Sequence, residues 1–450
     1  MAADRTEPAS LAVAERRLFG TDGVRGRVGE QITPELALSL GRAAVTAADA
    51  ERPQVVIVRD TRESGPMLEA ALAAGIAAAG GDAYLAGVLP TPAASILVRR
   101  HGLDLAAVVS ASHNPWHDNG IKFFGPDGRK LADGAEAAIE ACLETPVDAE
   151  RVGAIRTLDG ALDDYLRELT TAFRLDLSGV RVLLDCANGA THRAAPAAFE
   201  RLGATVETLA DEPDGRNINA GCGSTHIESL AGGIEASGAD VGFAFDGDGD
   251  RVLAVDRAGR VRDGDELIAL AAGHLSASGE LDGGVVVTVM TNYGFHVAMS
   301  GAGIDVATTQ VGDRYVIETL LDRGWSLGGE QSGHVIWTDF APTGDGIAAA
   351  LLALRALDGA DLSEAEPFEA LPQRLENLEI ADRAAIDGAA GLWDAVDGES
   401  AALEGRGRVL VRESGTEPLL RIMVEAPSDE ECEAVLGRLV AVARRELAAR

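Results

Sequence analysis

Residues 53–112 read "PQVVIVRDTRESGPMLEAALAAGIAAAGGDAYLAGVLPTPAASILVRRHGLDLAAVVSAS", and their rhythm decides the fold. A β-branched run, PQVVIVRD, gives way to the Ala-rich MLEAALAAGIAAAG, and then DAYLAGVLP, AASILVRRHG and DLAAVVSAS follow in turn. Short strands alternating with helix-length segments predict βαβ units and mixed, largely parallel sheets. The last strand, DLAAVVSAS, runs straight into a loop carrying Lys122 and Lys130, the only two lysines of the chain. Sites in open α/β sheets form at strand C-termini, so the residues after each strand draw attention.

The alternation returns at VRVLLDCAN with THRAAPAAFERLG, and again at GVVVTVM with GFHVAMSGAG. Beyond the acidic linker DGADLSEAEPFEALPQ the pattern changes to RVLVRESG, PLLRIMVEAP and a closing helix, DEECEAVLGRLVAVARRELAAR. This predicts three consecutive α/β domains with mixed parallel sheets and a C-terminal α+β domain. The expected boundaries are a disordered extension over 1–17, then domains at 18–154, 155–257, 258–368 and 369–450.

The 72 Asp+Glu against 39 Lys+Arg give a net charge of −33. The acids are spread along the chain rather than gathered into one acidic block for a basic partner. Such a surface suits concentrated salt, where the Debye length shrinks to about 3 Å at 1 M and self-repulsion is screened. It argues against nucleic acid, whose phosphates it would repel. Cys142, Cys186, Cys222 and Cys432 are scattered without metal-finger spacing and read as free thiols of a reducing compartment. No signal-peptide pattern opens the chain, and apolar runs such as GGVVVTVM are far too short to span a bilayer. The expectation is a halophilic, cytoplasmic protein with no membrane contact.

Four stretches carry chemistry. In FAFDGDGDRVLAV, a strand delivers Asp246, Asp248 and Asp250 at alternate positions between glycines, a spacing that converges on a hard divalent cation. An ordinary Asp-Gly surface turn is the plain alternative. An EF-hand loop is excluded, because its sixth position is Arg251 rather than Gly and its twelfth is Arg257 rather than Glu. Few protein ligands beyond three carboxylates suit Mg2+ waiting for a phosphate oxygen. Ser112 follows a strand, with Asn114-Pro115 turning the chain behind it. It is either a turn serine or, beside Mg2+, the oxygen that carries a phosphoryl group; the G-x-S-x-G elbow of a serine hydrolase is absent.

In VRESGTEPLLRIMVE, Arg412, Ser414, Gly415, Thr416 and Arg421 place two guanidiniums and two hydroxyls around one turn, a phosphate cradle or a polar hairpin. In LGGEQSGHVIW, Glu330, Ser332 and His334 are spaced two apart, and on an extended segment would face one side to grip a polyhydroxylated ligand. Near the N-terminus FGTDGVRG adds Arg25, which can face the same cleft.

Taken together, FGTDGVRG, SASHNPWHDNGIKFF, FDGDGDR, VGDRYV, GGEQSGH and RESGTEP resemble the α-D-phosphohexomutase superfamily in content and order, over residues 18–445. The resemblance implies four domains around a central cleft and an isomerase-class phosphotransferase, monomeric or homodimeric, acting on sugar phosphates. Ser112 would be the phosphoserine, with Asp246, Asp248 and Asp250 binding one Mg2+ together with its phosphate. Glu330 and Ser332 would hold the sugar, and Arg412, Ser414, Gly415, Thr416 and Arg421 the distal phosphate. Lys122 and His334 match proton-transfer positions, with Arg251 and Arg25 beside them. Like-charge repulsion from Arg251 and the metal is expected to favour a neutral Lys122. No role is assigned to Lys130.

The implied reaction interconverts glucosamine 6-phosphate and glucosamine 1-phosphate through a hexose bisphosphate, which also serves as activator. Gln331 supports the amino sugar, since relatives acting on mannose or glucose phosphates often carry Met there. Those neutral sugars are the nearest alternative. A non-catalytic sugar-phosphate-binding relative and a Mg2+-dependent phosphatase are the alternatives from other classes.

Overall fold

The structure is a computed structural model that describes residues 18–20, 22–144, 152–380, 384–413 and 419–447. The extension expected over 1–17 lies outside these residues. The chain packs as two units, one running to Thr288 and resuming over Ala307–Ala365, the other joining Val289–Val306 to the chain from Glu366 onward.

The first unit contains three sheets. In the first, six strands lie in the order Val24–Arg27, Asp118–Phe124, Leu105–Val109, Gln54–Arg59, Asp82–Val88 and Ile155–Thr157. The four contributed by the βαβ stretch and its extension are parallel, as the alternation predicts. Asp118–Phe124 is the exception, turning back antiparallel between Leu105–Val109 and Val24–Arg27. Lys122 therefore sits on a strand, opposite Val108, and not in a loop. The sequence reading missed this strand because its polar start, Asp118-Asn119-Gly120, looks like a continuation of the turn.

The central strands are buried on both faces, which is why they read as continuous apolar runs. Helices Pro34–Ala47 and Gly65–Ala78 pack on each other through glycines. A Cβ on Gly75 would collide with the Leu38 carbonyl, and one on Gly41 with the Leu72 carbonyl.

The second sheet runs Val261–Arg262, Val252–Asp256, Val241–Phe245, Arg181–Asp185, Thr205–Leu209, and the third Val306–Thr309, Val285–Thr288, Leu327–Gly329, Val335–Trp337. Both mix parallel and antiparallel pairs.

The second unit is a three-stranded antiparallel sheet with Leu419–Glu425 between Gln373–Glu379 and Arg408–Glu413. Helices Ala390–Leu403 and Asp429–Leu447 supply Leu392, Val435 and Leu439 to its core. Helix Tyr293–Gly301 belongs here too. The buried Glu425 carboxylate accepts from the Tyr293 N–H at 2.9 Å, and Asn292 and Leu371 exchange two bonds of 3.0 Å. The sequence boundary at 368/369 follows the acidic linker, whereas these bonds group Val289–Val306 with the later chain. No helix among the described residues is long and apolar enough to cross a membrane.

Gly75→Ala should cost about 1–3 kcal/mol of unfolding free energy through overpacking. Gly273→Ala, in helix Gly264–Ser278 where an added Cβ meets nothing within 4 Å, should instead gain up to about 1 kcal/mol. Denaturant unfolding of both variants checks the contrast.

Candidate active site

The loop after Val241–Phe245 brings Asp246, Asp248 and Asp250 together, with one oxygen from each lying within 4.8 Å of the others. All three are buried. Gly249 turns the loop with φ +73°, and a Cβ there would strike Thr191. The Ser112 hydroxyl, delivered by the strand Leu105–Val109, donates to Asp246 Oδ2 at 2.5 Å. Thr91 Oγ1 and Lys122 Nζ both donate to Asp248 Oδ2, at 2.5 and 2.9 Å.

Burial, together with the like charges of Asp250 and Asp248, pushes the Asp246 carboxyl well above the usual range. Burial would raise Asp248 as well, but Lys122 and Thr91 hold it below. Asp250 is held below mainly by His334, against burial and Asp248. Asp248 Oδ1 and Asp250 Oδ1 have no hydrogen-bond partner among the described residues. Three buried carboxylates with oxygens within 4.8 Å of one another, two of them keeping an oxygen without a hydrogen bond, are the donor set of a hard divalent cation, so these residues fit the metal expected from the sequence.

Both lysines meet at one carboxylate. Lys122 Nζ stands 3.7 Å from Asp22 Oδ2 and 3.8 Å from Asp250 Oδ2. Lys130 Nζ donates to Asp22 Oδ1 at 2.5 Å and pairs with Asp313, while Arg25 pairs with Asp22 from the other side. Burial would lower the Lys122 pKa, but Asp22 and Asp248 outweigh it and hold the ammonium above its ordinary value. Of the two repulsions expected at Lys122, that of Arg251 is outweighed, because carboxylates dominate the protein groups around it. Lys130 is likewise held charged, and Asp22 is held far below the usual carboxylate range by the lysines despite its burial. Asp22 and Asp313 lie within FGTDGVRG and VGDRYV, and neither stretch marks them as site residues. Their alternation with Arg and Gly gave no signal of what they would meet.

Glu330 to His334 form a tight turn rather than an extended segment. Glu330 N–H donates to the His334 carbonyl at 3.0 Å, and Gly333 N–H to the Glu330 carbonyl at 3.0 Å. Glu330 and His334 are buried at the two ends of the turn, while Ser332 is exposed at its tip. Glu330 Oε1 accepts from the Gly312 N–H at 3.0 Å. His334 Nδ1 lies 3.7 Å from Asp250 Oδ1, and burial of this ring is outweighed by Asp250 and Asp313, which raise its pKa. Gln331 Nε2 donates to Asp263, the N-cap of helix Gly264–Ser278, at 3.1 Å, tying the turn to that helix.

A cavity of about 320 Å³ opens onto Ser112, Arg25, Asp250, Arg251, Glu330 and His334. Arg251 N–H donates to Asp246 Oδ1 at 3.3 Å. A larger cavity of about 1080 Å³ lies elsewhere in the unit, where Arg257 pairs with Asp361 and Arg355 with Glu280. In the second unit Arg412 and Arg421 stand opposite each other on neighbouring strands. Partial burial, then the Arg421 charge, lowers the Arg412 pKa. Ser414, Gly415 and Thr416 lie outside the described residues.

Models of the phosphoglucomutase/phosphomannomutase family match the chain in four consecutive pieces. These are alpha/beta/alpha domain I over residues 16–149, domain II over 163–259, domain III over 263–375 and the C-terminal domain over 375–442. The phosphoglucosamine mutase of Desulforudis audaxviator is 49% identical over 438 residues, covering 94% of this chain and 97% of that protein. Among solved structures, a putative phosphomannomutase from Thermus thermophilus superposes with a TM-score of 0.76 at 25% identity, covering 94% of this chain and 98% of that one. The N-acetylphosphoglucosamine mutase of Aspergillus fumigatus, solved in complex with GlcNAc-6P and magnesium, superposes at 0.67 with 19% identity, covering 96% of each chain.

Lys130→Met leaves Asp22 and Asp313 without a shared counter-ion, and should cost on the order of 3 kcal/mol at neutral pH. Both carboxylates are held below their ordinary pKa. Their contribution is therefore complete above that ordinary value and fades as pH falls through the lowered one. The stability gap between wild type and variant should close on acidification, which urea titrations from neutral to acid pH will show.

Proposed function

The chain belongs to the phosphoglucosamine mutase family of phosphohexomutases, enzymes of the isomerase class, and from that premise we propose how its residues carry the reaction. The observation that carries the reading is the Ser112 hydroxyl, buried and 2.5 Å from Asp246 at the edge of a three-carboxylate cluster. Ser112 is the phosphoryl carrier. Asp246, Asp248 and Asp250 would hold a divalent cation, Mg2+ in this reading, which when bound neutralises charge on the transferring group.

In the first half-reaction the bond between Ser112 Oγ and phosphorus breaks as a bond from the free sugar hydroxyl to phosphorus forms. The hydroxyl proton must reach Oγ. Lys122 supplies the relay: its ammonium gives a proton to Oγ, takes one from the attacking hydroxyl, and ends in the form it began. The bisphosphate then turns, and its other phosphate returns to Ser112 by the same steps reversed. Glu330, fixed by Gly312, and the exposed Ser332 grip the sugar hydroxyls. His334 is the second proton-transfer group, and Arg25 and Arg251 offer guanidiniums to phosphate oxygens from the cavity wall. Arg412, Ser414, Gly415, Thr416 and Arg421 hold the phosphate that is not reacting. The substrate pair is glucosamine 6-phosphate and glucosamine 1-phosphate, with a hexose bisphosphate as activator. The four-domain division at 18–154, 155–257, 258–368 and 369–450 stays part of this reading.

Intact mass should reveal one phosphoryl group that Ser112→Ala removes. Turnover of glucosamine 6-phosphate should require Mg2+ and the serine, and stop with a chelator. A large preference for mannose or glucose phosphates would sink the amino-sugar assignment, and inorganic phosphate as main product would make the chain a phosphatase.

Arginine cannot pass a proton, because its pKa exceeds about 12. Lys122→Arg should therefore keep the charge yet lower kcat roughly 10²- to 10⁴-fold. Wild-type kinetics in that variant would remove Lys122 from the relay.

A further inference from the structure

The serine loop is gripped from beneath by groups that no step of the reaction uses. Ser112 has φ +51°, a left-handed conformation that a serine adopts only when its surroundings impose it. Arg62 is fully buried and spends four of its five N–H donors on carbonyls of the serine loop and the fifth on Asp60. Nε donates to Asp60 at 2.7 Å; Nη1 donates to the carbonyls of Pro115 and, at 2.9 Å, Asp118; Nη2 donates at 2.8 Å to those of Ser112 and Asn114. Asp60 Oδ2 also accepts from the Ser110 hydroxyl at 2.6 Å, and Ser110 Oγ accepts from the Ser112 N–H at 3.0 Å. The Ser112 peptide groups are thus held at both nitrogen and oxygen by one connected network.

A second anchor comes from the neighbouring sheet's loops. Asn219 Nδ2 donates to the Ser112 carbonyl at 2.9 Å and the Asn114 carbonyl at 3.2 Å. Gly247, between the metal-site aspartates, leaves room for this contact. A Cβ there would stand 2.6 Å from both the Ser112 carbonyl and Asn219 Nδ2. The serine loop therefore lies close against the aspartate loop at Gly247, and the Asn219 amide holds it independently of the Ser112 hydroxyl.

We propose that Arg62 and Asn219 are positioning residues that impose the left-handed backbone of Ser112 and so aim its oxygen at the carboxylate cluster. This rests on the reading of Ser112 as carrier. A carrier must deliver a phosphoryl group and accept one back at the same place, with opposite ends of the sugar presented in turn. Side-chain contacts to Oγ change at each transfer, whereas contacts to the Ser112 peptide do not. A frame built on the peptide keeps the oxygen in register through both half-reactions.

The test uses the full chain with Asn219→Gly and Arg62→Lys. Glycine tolerates the left-handed φ of +57° at position 219, so only the amide is lost. Measured are kcat and KM for glucosamine 6-phosphate, phosphoserine content by intact mass, and unfolding temperature. Misaimed reacting atoms predict a fall in kcat of roughly 10- to 100-fold for Asn219→Gly. KM should stay within about twofold of wild type, with unchanged unfolding temperature and phosphoserine content. Arg62→Lys should show the same split more deeply; if it does not fold, Asn219→Gly decides alone. A kcat near wild type in Asn219→Gly overturns the inference, as does a kcat loss that merely follows a lowered unfolding temperature. A wild-type chain with neither phosphoserine nor turnover overturns the functional reading and this inference with it. An active, phosphorylated wild type beside an unaffected variant overturns the inference alone.

Discussion

Three carboxylates within 4.8 Å of one another, all buried, set the terms for the first unit. Two unit charges at that separation repel by roughly 3 kcal/mol even at an effective dielectric near 20. Folding answers in two ways. Asp246 is driven toward its neutral form, where it accepts from Ser112, and Asp248 and Asp250 are held ionised by Lys122, Thr91 and His334. The arrangement leaves one oxygen each of Asp248 and Asp250 without a hydrogen bond among the described residues. A cation would relieve both the repulsion and the unmet hydrogen-bonding capacity, so the strain of the cluster is also its affinity.

The same electrostatics explains the two lysines in a chain that otherwise uses arginine. Lys122, Lys130 and Arg25 all converge on Asp22, which has only two oxygens. A compact ammonium on a flexible stem can share a carboxylate with two neighbours, where planar guanidiniums would crowd one another. At Lys122 exchangeability of the proton adds a second reason. At Lys130 compactness is reason enough, because one ammonium meets Asp22 and Asp313 at once.

Much of this was legible because the chemistry is local in sequence. Asp246, Asp248 and Asp250 are read from one heptapeptide, and the βαβ rhythm from the burial of strands on both faces. What stayed hidden depends on distant partners. Lys122 reads as a loop residue because Asp118–Phe124 becomes a strand only through its antiparallel pairing with Leu105–Val109 and Val24–Arg27. Its carboxylate surroundings are not legible either, because Asp22 stands a hundred positions earlier. Glu330, Ser332 and His334 were spread along an extended segment because the turn that separates Ser332 is fixed by the bond between Glu330 and His334 themselves. Helix Tyr293–Gly301 follows a third-sheet strand in sequence, yet Glu425 claims its first N–H.

Ser112 shows why distance in sequence matters most at the site itself. A serine in the left-handed region costs about 1–2 kcal/mol, so nothing in SASHNPWH would select that conformation alone. Its cost is met by Arg62, fifty residues earlier, and Asn219, more than a hundred later. The local sequence names the nucleophile, but the direction in which its oxygen points belongs to the fold. Residues far from the motif can therefore govern its chemistry without touching substrate. The glycines of the aspartate loop share in this, since Gly247 is small so that another residue's amide can reach the serine's carbonyl. The alternation of Asp and Gly that first suggested a metal site is thus also the surface against which the phosphoryl carrier is pressed.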